Sequence, residues 1–423
     1  MVTPELVREI HDVAVSDAGQ TITSEGFIAS SVDQDFGAPF GRDAMLCSLF
    51  RLDRFSQNPS VEGLLEPVKS SLRTLARYQG QQEDPKRDEQ PGKILHELRR
   101  YDTPKNITRL ASLKLSSWFI DEEGLRYYGS VDSTPLFVLI ASLYYNLTND
   151  RNFFIEVEPA VRKAIYWIEQ YGDTKGDGYI RFSAANRNAL INQGWKDSAD
   201  SMRPLKEPIA LVEVQGYTYA AYMVAAEAFK NCREKEFAQH LLEKAGDLKK
   251  SFNRDFWMTE EGFFAYALDA DNNQEKEITS NVGHLLATGI IEDEKLPQVV
   301  SRLMQADMLT NYGIRTLSLN SANFSDTEPS AYHNGGGIWP HDNALIYLGL
   351  IKSGFYKEAQ IVRDAVLEAQ YELLRKYGLH DLEVYMVDRN GRLRPYRTAQ
   401  QPQGWASEGN MLLTEIAPNI RDF

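Results

Sequence analysis

Apolar residues recur at steps of three and four along most of the chain. Leu65, Val68, Leu72 and Leu75 follow this spacing, and so do Val157, Val161, Ile165 and Ile168. Phe237, Leu241, Leu248 and Phe252 continue it, and Ala359, Val362, Val366, Ala369 and Leu373 repeat it near the end. Such steps lay an apolar stripe along one face of a helix. The pattern predicts about twelve helices, near 4–17, 43–57, 62–80, 133–147, 154–171, 207–230, 234–254, 281–289, 293–305, 341–353, 356–377 and 403–417.

Several of these helices are joined by very short links. Thr148-Asn149-Asp150, residues 231–233 and Ser353-Gly354-Phe355 each leave room only for an antiparallel return. The other connections, at 18–42, 81–132, 172–206, 255–280, 306–340 and 378–402, are long. Short and long links in alternation describe helical hairpins with the long loops gathered at one end. No Pro/Ser-rich linker or low-complexity tract divides the chain. The reading is therefore an all-α protein with one toroidal domain spanning residues 1–423. An open superhelix of helix pairs is the alternative, but no fixed period or repeated motif supports it.

Acidic residues outnumber basic ones, 60 to 46, for a net charge of −14. That charge repels phosphates, so nucleic acid is excluded as a partner and a neutral ligand is favoured. The 11% aromatic content suits a carbohydrate binder, and equally a large core. Cys47 and Cys232 have no ligand-like spacing and read as reduced thiols. The N-terminus lacks a basic region followed by an apolar run. No apolar stretch reaches the roughly 18 residues of a membrane span. The expectation is a cytoplasmic protein with no membrane partner.

The long loops carry the chemistry-bearing words. Phe40-Gly41-Arg42-Asp43 opens a helix and reads either as a cap with an ion pair or as a fork for sugar hydroxyls. In Gly92-Lys93-Ile94-Leu95-His96-Glu97-Leu98-Arg99, an extended backbone puts Glu97 and Arg99 on one face. Asp132-Ser133 stands where an N-cap is expected. In Asn192-Gln193-Gly194-Trp195-Lys196-Asp197-Ser198, a tryptophan near a carboxyl lowers its solvation and raises its pKa, as a general acid requires. Glu213 and Gln215 interrupt an apolar helix start, so they are paired, solvent-facing or turned to a cavity. Tyr332-His333-Asn334-Gly335-Gly336-Gly337-Ile338-Trp339-Pro340-His341-Asp342-Asn343 combines tight-turn glycines with a flat Trp339. Its two histidines lack a third ligand at metal-like spacing, so no metal is expected, and no phosphate-loop word is present. Glu383 lies in a short segment of strand character, Leu382-Glu383-Val384-Tyr385, ahead of Gln403-Gly404-Trp405.

In this order, the words from Gly41-Arg42-Asp43 to Gln403-Gly404-Trp405 resemble the amylo-α-1,6-glucosidase domain of glycogen debranching enzymes. That domain is related to glucoamylases, trehalases and processing α-glucosidases. The resemblance implies an (α/α)6 barrel of six inner and six outer helices, in accord with the helix count. It implies hydrolysis with inversion and no cofactor. The family's general acid, in its Trp-x-Asp word, matches Asp197, and its general base matches Glu383. Arg42 and Asp43 match the pair that grips the terminal glucose in the glucoamylase relatives. Asp132, Trp195, Glu213, Arg315, His333 and Trp339 fall in words resembling those that line the family's pocket. The base word departs from the usual Pro-Glu-Leu, reading Asp381-Leu382-Glu383-Val384.

The resulting expectation is an exo-acting inverting hydrolase that removes a terminal glucose from an α-linked carbohydrate, first of all an α-1,6-glucosidase. A hydrolase of a small glycoside such as glucosylglycerate or mannosylglycerate is the alternative, since such enzymes also use a lone barrel. Two remoter readings are a sugar epimerase working through His96, His284, His333 and His341, and a glycan-binding barrel without turnover.

Overall fold

The computed structural model describes residues 2–59 and 63–415. Six of its helices, Gly41–Gln57, Ser133–Thr148, Val212–Asn231, Asn281–His284, Pro340–Lys352 and Gly404–Thr414, each pack against the next, and the last packs against the first. Six more, Pro4–Gln20, Glu66–Arg77, Arg151–Trp167, Lys235–Asp255, Leu296–Leu303 and Tyr356–Tyr377, each lie against one of the first set. The sequences of the two sets explain their places. In Ser133–Thr148 every residue from Ser133 to Ser142 is buried, so this helix is surrounded on all sides. In Arg151–Trp167 the stripe of Phe154, Val157, Val161 and Ile165 is buried, whereas Ile155 and Tyr166 are more than half exposed, at 58% and 54%.

Capping sets the short links. Asn149 takes the left-handed conformation (φ 54°) that ends one helix, and the Asp150 side chain accepts the Phe153 amide to begin the next. Thr3 accepts the Leu6 amide in the same way, with Pro4 at the first helical position.

The structure departs from the predicted pattern in four places. A thirteenth helix, Pro104–Leu115, lies within the long connection 81–132. It buries only Asn106, Leu110 and Leu113 and leaves Ile107 and Leu115 exposed, so its apolar period is weak. The predicted segment 281–289 divides into a short α-helix and a 3-10 turn, Leu285–Ala287. The helix predicted to residue 171 stops at Trp167 and continues as a π-turn, Ile168–Gly172. The long connections are not bare loops: they fold into two- and three-stranded antiparallel ribbons. One of these pairs Gly337–Ile338 with Tyr385–Val387, which brings the Glu383 segment beside Trp339. The predicted ends at 62 and at 416–417 lie outside the described residues. Among the described residues, no helix is long and apolar enough to cross a membrane.

Candidate active site

The first turns of the mutually packed helices meet at one place, because each long connection delivers the chain to the start of such a helix. Arg42 Nε, in the first turn of its helix, donates to Asp132 Oδ2 at 2.7 Å, just before the next. Asp132 and Glu213, in the first turn of Val212–Asn231, feel one another's charge. From that helix the Tyr217 hydroxyl meets His284 Nδ1, and His284 Nε2 meets Asp342 Oδ1, each at 2.6 Å. His341 stacks on Trp405 with ring centroids 3.8 Å apart. Gln403 Nε2, at the start of the last helix, donates to Asp43 Oδ1 at 3.3 Å and closes the circuit. The arrangement concentrates the helices' positive N-terminal ends around buried carboxylates.

Asp132 does not cap its helix. Its side chain makes no capping bond, and instead accepts from Arg42 and from Ser130 Oγ at 2.6 Å. Arg42 also reaches Asp197 Oδ2 at 3.3 Å and the Gly194 carbonyl at 2.7 Å. One guanidinium thus ties three segments together, so the Arg42-Asp43 word is more than a local cap and ion pair. Gly194 is needed for the approach: a Cβ there would lie 2.3 Å from Leu211 Cδ1 and 3.3 Å from Glu213 Oε1. Gly41 plays the same part, since its Cβ would lie 2.2 Å from the Leu95 carbonyl.

Three carboxyls here are pushed far from their ordinary range. Burial raises Asp43 to about 7 against the pull of Arg42, with Asp197 adding to the rise. Burial raises Asp197 to about 6, again against Arg42. Its side chain keeps 28% exposure, so it sits at the rim of the hollow. Glu383 is only 3% exposed and is raised to about 8 by burial. The Tyr332 hydroxyl and the Gln400 amide (3.2 Å) donate to Glu383 and hold the rise back, while Asp43 and Asp197 add to it. Glu383 and Asp197 therefore sense each other although 186 residues separate them. Burial also raises Glu213, whose two oxygens lack a partner at full hydrogen-bonding geometry, the Asn281 amide lying nearest.

Aromatic rings wall this hollow. Trp195 is edge-on to His333, Trp339 and His341, with centroids 5.2 to 5.6 Å apart. His333 lies flat on Trp339, centroids 5.0 Å apart. The Nε1 of Trp195 and of Trp405, His333 Nε2 and both nitrogens of His341 are buried without a hydrogen-bond partner. Burial holds His333 and His341 well below the usual histidine range, so both rings are neutral. Flat faces with unpartnered donors and acceptors suit a sugar ring, whose hydroxyls both donate and accept.

Of the residues singled out in the sequence, Arg42, Asp43, Asp132, Asp197, Trp195, Glu213, His333, Trp339 and Glu383 come together here. Arg315 is placed differently. Its guanidinium donates to the backbone carbonyls of Val387 and Asp388, and its charged neighbours are Asp326, Asp388 and Arg389. Glu97 and Arg99 do share a face, and they pair with each other. His284 has both nitrogens engaged, by Tyr217 and Asp342. Sequence reasoning did not select Tyr332, Gln400, Gln403 or Trp405 as site residues, and named His341 only for the epimerase reading. Each lies in or beside a word already marked, but which of them turns inward is decided by packing. Among the described residues, no group of three or more His, Cys, Asp or Glu is arranged to hold a metal ion.

The fold is shared with solved glycoside hydrolases. The GH63 mannosylglycerate hydrolase from Thermus thermophilus, in complex with Tris, matches with a TM-score of 0.70 at 13% identity, over 96% of this chain and 100% of that one. Its complexes with Tris and D-glycerate and with glucose match at 13% identity with TM-scores of 0.68 and 0.66, over 96% of this chain and 99% of theirs. At this identity the likeness is one of fold. No curated protein matches the sequence. The family model for amylo-alpha-1,6-glucosidase matches residues 115–408, and the chain belongs to that family.

Proposed function

We propose that the protein is an exo-acting, inverting glycoside hydrolase that removes a terminal glucose from an α-linked glucoside, with the α-1,6 bond as the first candidate. Its catalytic domain is a single (α/α)6 barrel over residues 1–423, working in the cytoplasm without a cofactor. What supports this is two carboxyls from distant loops, Asp197 part-exposed at the rim and Glu383 buried, each within the other's field. Protonated Asp197 delivers a proton to the glycosidic oxygen as the bond to the anomeric carbon breaks. Ionised Glu383 takes a proton from a water on the opposite face, and that water's oxygen bonds to the anomeric carbon. Inversion asks for roughly 6.5–9.5 Å between the carboxyls to seat the water. Arg42 and Asp43 engage hydroxyls at the closed end, which limits attack to a chain end. Asp132, Glu213 and His333 supply further hydroxyl contacts, Trp195 and Trp339 supply the walls, and Arg315 fixes the loop beyond Glu383.

A second reading, hydrolysis of a small glycoside such as glucosylglycerate or mannosylglycerate, is favoured by one observation. A cavity of about 250 Å³ adjoins the acid-bearing loop and is lined by Lys196, Arg203, Tyr266 and His333. It has room for a small aglycone and offers it Lys196, while Arg203 is paired with Glu275, and Asp200 and Glu277 share the lining.

The deciding experiment is a release assay over α-linked disaccharides, limit dextrin and these small glycosides, with NMR of the newly formed anomer. The β-anomer of the released sugar is expected first from an α-linked substrate. Initial release of the α-anomer, or no hydrolysis of any of the panel, would overturn the proposal.

A further inference from the structure

A second polar cavity, of about 160 Å³, lies between the 83–93 loop and the 167–193 segment. None of the carboxyl residues of the proposed hydrolytic hollow lines it. Its floor is built from Lys93, Asp88, Arg181 and Gln193, all nine-tenths buried or more. Glu83, Thr174 and Ser183, at its mouth, are exposed, so solutes reach it from outside.

The floor is chemically unfinished. Gln193 is fully buried, and neither its Nε2 nor its Oε1 has a hydrogen-bond partner. Arg181 spends its two terminal nitrogens on Asp177 and Asn272 but leaves Nε unpartnered. Asp88 Oδ1 accepts the amides of Ala185 and Asn186, whereas Oδ2 has no partner at full hydrogen-bonding geometry, the Tyr127 hydroxyl lying close to this carboxylate. Two donors and two acceptors therefore remain on residues around one small space. Unmade hydrogen bonds of buried groups are costly, and native interiors rarely keep so many in one place.

We infer that this cavity is a binding site for a neutral polyol, from glycerol up to a single pyranose. Hydroxyl groups both donate and accept, which is what a mixed set of unpartnered donors and acceptors requires. Trp167 and Phe182 offer apolar surface to the C–H faces of such a molecule. Charge selects against the alternatives: Glu83, Asp84 and Glu89 repel anions at the mouth, and Lys93 with Arg181 repels cations below.

The test uses the full-length protein with D-glucose and glycerol as probes. Equilibrium dialysis counts bound equivalents, and crystals soaked in each probe locate them. Ser183→Trp blocks the exposed mouth without touching the floor, and Gln193→Leu removes two of the four unpartnered atoms. Wild type is expected to bind one more equivalent of D-glucose than Ser183→Trp, and Gln193→Leu is expected to bind this equivalent at least tenfold more weakly. Ser183→Trp should keep the glucose bound in the hydrolytic hollow. If that hollow binds none, the counts become one and zero, so the two ideas fail separately. Equal stoichiometry in wild type and Ser183→Trp, or binding at crystal concentration only, refutes the second site.

Discussion

Replacing Glu383 by glutamine separates what the site needs for chemistry from what the fold needs for stability. The side chain is 3% exposed and its carboxyl titrates near 8 instead of 4.5. A carboxyl whose folded pKa lies above its unfolded value binds more protons in the folded state. The contribution of this group to stability is therefore greatest below about pH 4.5, falls as pH rises through the window, and is level above about pH 8. At 1.36 kcal/mol per pH unit, the loss is about 3 kcal/mol by pH 7 and about 1–2 kcal/mol more by pH 9. Glutamine keeps the shape and can still accept from Tyr332 and Gln400, but it never ionises. At about 2.1 cal/mol/K per residue, a chain this long shifts in Tm by about 1 °C per kcal/mol. Glu383→Gln should therefore melt about 3 °C above wild type at pH 7 and close to it at pH 4.5. Its turnover of an unactivated α-glucoside should fall by 10²–10⁴-fold through loss of the base. Thermal melts from pH 4.5 to 9 and initial-rate assays on one preparation suffice. A variant that melts below wild type at pH 7, or keeps turnover within a few-fold, would refute the reasoning.

Four other outcomes are expected. Wild-type kcat/KM should be bell-shaped, with limbs near pH 6 and pH 8 and a maximum near 7: because Asp197 titrates below Glu383, the form with Asp197 protonated and Glu383 ionised is a minor one, about 1% of the enzyme at pH 7, and it falls away on either side; a flat profile from about pH 5 to 9 contradicts the pair. Asp197→Asn should lose at least 10²-fold on an unactivated glycoside but far less on a glycosyl fluoride, whose leaving group needs no acid, and there its pH profile should show a single rising limb near pH 8, where Glu383 ionises; equal losses on both substrates count against the acid role. Arg42→Met leaves the buried Asp132 without its cation, so a loss of about 3–5 kcal/mol in chemical denaturation is expected; near-wild-type stability would mean that the guanidinium is dispensable. Gly194→Ala drives a methyl into Leu211 and toward Glu213, so kcat should drop while the far-ultraviolet circular dichroism is unchanged; unaltered kcat would show that the loop yields.

Much of the architecture was legible because its signal is local. Helices such as Ser133–Thr148 and Tyr356–Tyr377 announce themselves through apolar spacing and through stops at Asn149 and Gly378. Pro104–Leu115 was missed because it buries a single short row of side chains. The site was legible in part for a related reason. Glu213 is a polar residue at the mouth of a helix otherwise built for burial, so it stands out as an intrusion, whereas Arg42, Asp43 and Asp132 read equally well as caps and ion pairs and Asp342 was not singled out. Glu383 has no such contrast, since a short strand-like segment tolerates an exposed glutamate, and only the family resemblance marked it. Arg315 shows the converse: it stands in a pocket-like word, and its fork is occupied by the backbone carbonyls of Val387 and Asp388. Stacking of His341 on Trp405 and the Tyr332 bond to Glu383 join segments far apart in sequence, and no local pattern encodes them.

The charge of the hollow also bears on what it accelerates. Asp43, Asp132, Asp197, Glu213, Asp342 and Glu383 gather there, against Arg42 and a buried Lys196 whose pKa burial lowers to about 8. A neutral glucoside gains little from such a field. An oxocarbenium-like transition state, carrying positive charge at the anomeric carbon, gains much in a water-poor hollow. Interactions stronger in the transition state than in the ground state are the ones that raise kcat. Burial holds Asp197 and Glu383 above their ordinary range, and the neighbouring carboxylates add to the rise, because each ionisation makes the next harder. On this view, removing a carboxylate that contacts no reacting atom, as in Glu213→Gln, lowers kcat more than it raises KM. A change confined to KM would mean that Glu213 only binds hydroxyls.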